Sequence, residues 1–434
     1  MILVYTERAT SRINYALNLI FRDILQTRFE VTHDLQEYLD HLGAKIFYGH
    51  QFPAEGLFIQ SSNLLFESGI IEQELNMIPF EDGKALFGTS KKCHLGFDIF
   101  AASFYMACRY EEYLPHKRDE HDRFEAKESI ATQYHFLEKP VVNIWCEALW
   151  NLLLKKYPSL VRKERKFEFI TTIDIDNAFA YKEKGFVRGL AGIVADLVTF
   201  DFSQLQERLK VLFGRMKDPY DTYDYQLETI KKHDLNVIYF FLMGDYGVND
   251  KNIPVENMHF QSLIKQIADY AEVGIHPSYG SNNNFHRLEK ELNRLSPIIK
   301  KDVTQSRQHF LRLKFPETYR NLIDLDVLND YTMGYANHYG FRAGLCTSYY
   351  FYDIDLEVET RLKVHPFSIM EGTLKYYLSV GPEEALPHFE KIINEVKKVN
   401  GTFISLWHND TLSDQGDWKG WRAVFEGMIK LCQQ

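Results

Sequence analysis

The chain has 434 residues, 45% hydrophobic and 25% charged, with a formal net charge of −10 and a pI of about 5.9. That balance excludes a protein held on a nucleic-acid backbone by a clustered basic surface, and no apolar stretch reaches the length of a membrane span. The five cysteines, Cys93, Cys108, Cys146, Cys346 and Cys432, are odd in number, widely spaced and free of a C-x-x-C pair, which argues against a disulfide framework and a cysteine zinc site.

Residues 1–160 read as one α/β unit. Residues 1–5 form a short β-type run, 11–25 carry apolar residues at helical spacing, and 29–32 are a second strand. A helix follows at 34–42 with Asp34 as its N-cap, then strands at 45–48 and 56–61. This is a βαβ-like start without a Gly-rich phosphate loop. Residues 98–113 look helical and end in Arg109-Tyr110-Glu111-Glu112-Tyr113; residues 116–123 are dense in charge of both signs; 140–156 form a long amphipathic helix. The basic run at 162–166 reads as a solvated linker. The N-terminus has no basic n-region and too short an apolar run for a signal peptide, which predicts a cytoplasmic protein.

Residues 161–434 have a different rhythm. Strands are predicted at 167–173, 237–242, 273–276 and 402–407, with extended segments at 304–311 and 340–343. Helices are predicted at 204–216, 223–233, 261–272, 285–299 and 382–400, the last closed by Gly401. Strands alternating with helices over this length predict a parallel α/β fold of barrel size, an α/β barrel domain behind a smaller α/β domain.

Four polar islands close apolar runs in this second unit. They are Thr-Thr-Ile-Asp-Ile-Asp at 171–176, Gly-Ile-His-Pro-Ser at 274–278, Ser-Arg-Gln-His at 306–309 and Ser-Leu-Trp-His-Asn-Asp at 405–410. An α/β barrel gathers its chemistry at strand C-termini. Asp174 and Asp176, spaced by two, point to one face. Two carboxylates that close favour a cation beside them, with one as ligand and the other as base. His276, stiffened by Pro277, is a candidate metal ligand, and Tyr279 leads a polar loop able to fold over a ligand. Arg307 and His309 alternate onto one face, Arg307 to orient a carboxylate and His309 to complete a metal site. His408 is a candidate general acid, Asn409-Asp410 a candidate to hold its tautomer, and Trp407 and Trp418 candidate walls for a sugar. Each has a plainer alternative: an Asx turn for the aspartates, a solvated strand end for the histidines. Two Asp and three His gathered this way suggest a metal-assisted hydrolase.

Residues 167–434 resemble the polysaccharide deacetylase family, metal-dependent carbohydrate esterases on a distorted β/α barrel. Thr172-Ile173-Asp174-Ile175-Asp176 stands where that family has T-F-D-D-G, and Leu406-Trp407-His408 matches its L-x-H. Of H-S/T-x-x-H only the first His is matched, as His276, with Gly280 at the second position. Arg307 matches the start of the third motif, but His309 occupies the proline position. A bacterial subgroup is similar over nearly the whole chain, through His276-Pro-Ser-Tyr279, the segments at 306–312, 330–336 and 340–344, and an N-terminal unit containing the 109–113 segment. The resemblance implies Asp174 as catalytic base, Asp176 and His276 as ligands of a divalent metal, zinc foremost, and His408 as the acid. His309 is the candidate third ligand, since an open zinc site needs about three protein ligands. Arg307 would support Asp174, and Arg342 would bind substrate or form a structural ion pair.

The expected activity is removal of an acyl group from an N-acetylated sugar by metal-activated water. Two other readings stay open: a carbohydrate-binding or scaffold protein on a degenerate deacetylase fold, and a hydrolase of small amides. The expected partner is accordingly a carbohydrate or a small amide, and no oligomeric state follows from the sequence.

Overall fold

The structure, a computed structural model, describes residues 1–51 and 55–434. Strands β1 (Ile2–Thr6), β2 (Phe29–Thr32), β3 (Ala44–Gly49) and β4 (Leu57–Gln60) form a parallel sheet in the order β2-β1-β3-β4. Helix α1 (Ser11–Leu17) is capped by Thr10 and runs on as a wider π-type segment to Ile24. Asp34 caps α2 (Leu35–Asp40) as its position predicts, its carboxylate accepting from the amides of Gln36 and Glu37. A small hairpin, β5 (Ile78–Phe80) and β6 (Gly83–Ala85), was not legible in the sequence. Helix α3 (Ile99–Ala107) is shorter than the predicted 98–113, because Arg109 adopts a left-handed φ of 54° and a 3-10 turn follows. Helices α4 (Ile130–Gln133) and α5 (Val141–Lys156) complete the unit.

The second sheet has nine strands: β7 (Glu168–Ile175), β8 (Val237–Leu242), β9 (Glu272–His276), β10 (Gln305–Ser306), β11 (Asn329–Asp330), β12 (Tyr349–Asp353), β13 (Val358–Val364), β14 (Ile369–Met370) and β15 (Thr402–His408). Their order is β12-β13-β11-β10-β9-β8-β7-β15-β14, parallel except for the β12–β13 pair. No ladder joins β12 to β14 among the described residues, so the ladders make a mixed α/β sheet with two ends, short of a closed form of the distorted β/α barrel expected. Around it lie α6 (Phe186–Val198), α7 (Phe202–Leu212), α8 (Tyr223–His233), α9 (Met258–Ala268), α10 (Phe285–Ile299), α11 (Glu317–Asp324), α12 (Pro382–Lys398) and α13 (Trp421–Gln433). None of them is long and apolar enough to cross a membrane.

Strand β8, Val-Ile-Tyr-Phe-Phe-Leu, is buried along its whole length, as a central parallel strand covered on both faces must be. Its neighbour β9 needs Gly274: a Cβ there would stand 2.7 Å from both the Gln305 carbonyl and the Phe240 ring. Two extended segments are corrected. The 304–311 run forms a strand only at Gln305–Ser306, then turns through Phe310 and Leu311, both with positive φ. Residues 340–343 form no strand, and Gly340 turns the chain there at φ 131°.

The two units meet through buried ion pairs. Arg109 donates to Glu111 (2.6 Å) and Glu112 (2.7 Å), and Arg342 grips Glu112 at 2.9 and 2.6 Å. One continuous set of buried apolar residues reaches from Ile2 to Cys432. The basic run at 162–166 is not a free linker, since Arg162 and Arg165 both pair with Glu147.

Candidate active site

The C-terminal ends of β7, β9, β14 and β15, with the turn after β10, converge on a cavity of about 320 Å³. Asp174 is the next-to-last residue of β7 and Asp176 lies in the bend just beyond it. Register sets Asp174 directly beside His408 of β15 and Leu242 beside His276. Strands that are far apart in sequence thus deliver their polar ends to one place, as parallel α/β sheets do.

Asp176, His276 and His309 place one ligating atom each within 4.8 Å of one another. Asp176 Oδ1 lies 3.1 Å from His276 Nε2, and Asp176 Oδ2 lies 3.4 Å from His309 Nε2. The outer nitrogens of both rings are engaged. His276 Nδ1 donates to the Arg307 carbonyl at 2.6 Å, and His309 Nδ1 donates to Asp250 at 2.9 Å. With Nδ1 as donor, Nε2 is the ring atom that faces Asp176 and that, in the neutral imidazole, offers a lone pair to a metal. Asp176 Oδ1 accepts no hydrogen bond, and the two Nε2 atoms converge on this one carboxylate from either side, an arrangement that suits a shared cation. The donor set, two imidazoles and one carboxylate, fits a divalent metal with an open position.

Electrostatics support that fit. Burial opposes charge on His309, but Asp176 and Asp250 outweigh it and raise the imidazole to about 9. Burial likewise opposes the Asp176 carboxylate, and His309, with the contacts from His276 and His309, holds it well below the usual range. Burial against Asp250 is also outweighed, chiefly by its hydrogen bond from His309. The same concentrated negative charge attracts a cation, which displaces protons from its ligands as it binds.

Two further pairs flank this cluster. Arg307 is fully buried, packed over Phe240 and near Phe367, and donates to Asp174 at 3.2 Å, to Thr172 and to the Tyr331 carbonyl. On the other side, Glu371 Oε1 accepts from the amide and the ring Nδ1 of His408. Burial disfavours the imidazolium of His408, but Glu371, then Asp176 and Asp174, raise its pKa well above the ordinary value. A histidine so held is suited to give a proton. Asp410, also at the cavity, is pushed up to about 6 by burial.

The structure therefore brings together Asp174, Asp176, His276, Arg307, His309 and His408. It separates three expected substrate contacts from the cavity. Arg342 is buried in its ion pair with Glu112, the structural alternative. Trp407 is fully buried behind the site, stacked on Phe389 at 5.6 Å. Tyr279 packs under the Arg312 guanidinium at 4.1 Å and edge-on to Phe310, outside the cavity lining. Trp418 does line the cavity, with Tyr376 and Tyr377, and Arg123 of the N-terminal unit enters its rim.

Asn409 does not hold the His408 tautomer, because its amide bonds the carbonyls of Asn177 and Tyr220. Glu371 does so, and sequence reading missed it, as it missed Asp250. Glu371 follows a two-residue strand and Asp250 sits in an irregular loop, so neither has a periodic signal around it.

The model of a family of unknown function, DUF7033, matches residues 2–158. No curated protein matches the chain. Similar solved structures include a protein of Mycobacterium smegmatis described as a polysaccharide deacetylase, 12% identical over 63% of this chain and 86% of that one, with a TM-score of 0.39. A mutant of a CE4-family pseudoenzyme with restored enzymatic activity is 13% identical over 62% of this chain and 65% of that one, TM-score 0.31. The polysaccharide deacetylase of Bacillus cereus is 10% identical over 62% and 88%, TM-score 0.28. At these values the likeness is a remote one of fold and says nothing of activity.

Proposed function

We propose that this chain is a metal-dependent hydrolase that removes an acyl group, acetyl foremost, from the nitrogen of an amide-linked sugar. The observation that carries the reading is the three-part cluster in one cavity: Asp176, His276 and His309 within 4.8 Å, Asp174 on Arg307, and His408 on Glu371. A divalent cation, zinc foremost, held by Asp176, His276 and His309 would polarise the acyl carbonyl and lower the pKa of water.

The protein's own groups do the rest. Arg307, anchored at Thr172 and the Tyr331 carbonyl, fixes Asp174 with one oxygen engaged and the other toward His276, at 3.8 Å. Asp174 takes the proton of the attacking water. His408, kept charged by Glu371, gives a proton to the departing amine, which would otherwise be a poor leaving group. Tyr376, Tyr377 and Trp418 supply an apolar, aromatic wall for a sugar face. The division of the chain near residue 160 belongs to the same proposal, with the first unit shaping one side of the cavity through Arg123.

The test is acetate release by the purified chain from a panel of N-acetylated sugars and small amides, beside metal analysis. Activity on sugars that vanishes in Asp174→Asn and on chelation supports the reading. Turnover of small amides alone moves the substrate class. Native protein that takes up no zinc, cobalt or nickel and releases no acetate sinks it in favour of a binding or scaffold role.

A further inference from the structure

Helices α6 and α7 form a hairpin that leaves the sheet at the C-terminal end of β7, the end that bears Asp174 and Asp176. The polarity of α6 is inverted, whereas α7 buries the apolar Val211. In α6, Phe-Val-Arg-Gly-Leu-Ala-Gly-Ile-Val-Ala-Asp-Leu-Val, the one buried residue is Asp196. That carboxylate pairs with Arg208 of α7 at 2.6 and 3.1 Å, and Gly192 leaves room for the guanidinium. The charged seam joins the two helices, and the apolar side chains face away. Phe186 is 81% exposed, Val187 79%, Phe200 76% and Phe213 75%. Phe202, Val194 and Val198 are exposed as well. A run of large apolar side chains this exposed marks a surface with something to bind.

Charge selects the occupant. Of the hairpin's cations Arg208 is held by Asp196, and Lys217 just beyond it is held by Asp221 and Asp224. Lys210 and Arg215 are exposed and make no ion pair among the described residues. Two copies meeting through this face would bring like charges together. An anionic lipid surface offers both an apolar layer for the phenylalanines and negative headgroups for the flanking cations. The apolar residues also cover both helices and the connecting turn at Phe200, which suits a fluid medium better than a shaped pocket.

We infer that the α6–α7 hairpin is an interfacial anchor that docks this chain on an anionic bilayer surface, with the cavity end of the sheet toward the membrane. The inference does not depend on the hydrolase reading, and its test does not read activity.

The test is co-sedimentation of the full chain with vesicles of phosphatidylcholine alone and of phosphatidylcholine mixed with phosphatidylglycerol, at low and high salt. The expected result is partition into the anionic vesicles, weakened by salt. It should fall by more than about tenfold in both Phe200→Ser/Phe202→Ser and Lys210→Glu/Arg215→Glu. All four positions are exposed, so the variants should retain the parent unfolding temperature, which checks their fold. No partition by the native chain, equal partition into neutral vesicles, or binding indifferent to both variants overturns the inference. So does a dimer in sedimentation velocity that Phe200→Ser/Phe202→Ser dissolves, since a second copy would then cover the hairpin.

Discussion

Glu371 Oε1 accepts two hydrogen bonds from His408, at 2.8 Å from its amide and 2.7 Å from its ring Nδ1. The carboxylate is completely buried, and its other oxygen has no partner. One acid therefore fixes the ring's position, its tautomer and its charge. The pairing joins the end of a two-residue strand, β14, to the end of β15.

Glu371→Gln keeps the shape of this contact and removes its charge. The expected outcome is a fall in kcat of about 10²-fold, the scale of a lost general acid, with KM and unfolding temperature close to those of the parent. Steady-state kinetics on the best acetylated substrate check it. An equal loss in KM alone would assign Glu371 to substrate binding instead.

Asp250 stands behind His309 as a carboxylate behind a metal-ligating imidazole. Asp250→Asn should weaken metal affinity by roughly 10- to 100-fold, and His309→Ala should weaken it further by removing a ligand. Competition with a chromogenic chelator measures both. Unchanged affinity in His309→Ala would remove His309 from the ligand set.

Arg342 and Glu112 are 2% and 3% exposed at their side chains. Arg342→Met leaves Glu112 with Arg109 as its remaining cation, at 2.7 Å, so it should cost stability but less than the roughly 3–5 kcal/mol of a fully stranded buried charge. Urea unfolding measures this. At temperatures where the variant stays folded KM should be unaltered, because Arg342 contacts Glu112 and not the cavity.

His365 is held neutral. It accepts from Ser348 at 2.7 Å, donates to Asn329 at 2.9 Å, and stacks on Tyr331 at 4.4 Å. Burial, then the nearby charge of Lys363, pushes its pKa down to about 3. In the unfolded chain the ring titrates near about 6.5. Between those values the unfolded state binds the extra proton, so stability rises with pH. His365 thus contributes fully above about pH 6.5, and its contribution is lost as pH falls toward 3, with a slope of at most about 1.4 kcal/mol per unit. Unfolding free energies near pH 7 and pH 5 should differ less in His365→Gln than in the parent.

Much of the fold and half of the site were legible in the chain. Helices α8 and α10 and strand β8 take the bounds their periodicity predicts, because each combines an uninterrupted apolar pattern with a clear stop. Asp174, Asp176, His276 and His408 stand out for a related reason: a polar residue that ends an apolar strand has few places to go except the mouth of the sheet. His309 reaches the site by another route than its spacing predicts. It is not on a strand face beside Arg307, since β10 ends at Ser306 and Phe310 turns the chain with φ 60°. It reaches Asp176 from that turn.

What tertiary structure alone decided is which side chain meets which. Arg307 and Arg342 are alike in the sequence, each closing a short extended run, yet one lies on Asp174 and the other on Glu112. Trp407 is the middle residue of the L-x-H segment and Trp418 follows it in the chain, but strand alternation turns the first into the core and a 3-10 turn sets the second at the cavity. Glu371 and Asp250 became visible only when strands brought together residues 37 and 59 positions apart. The sequence determined the strands and the chemistry at their ends, because local pattern encodes local structure. The partners were decided by packing, because a buried charge is satisfied by whichever group the fold places within reach.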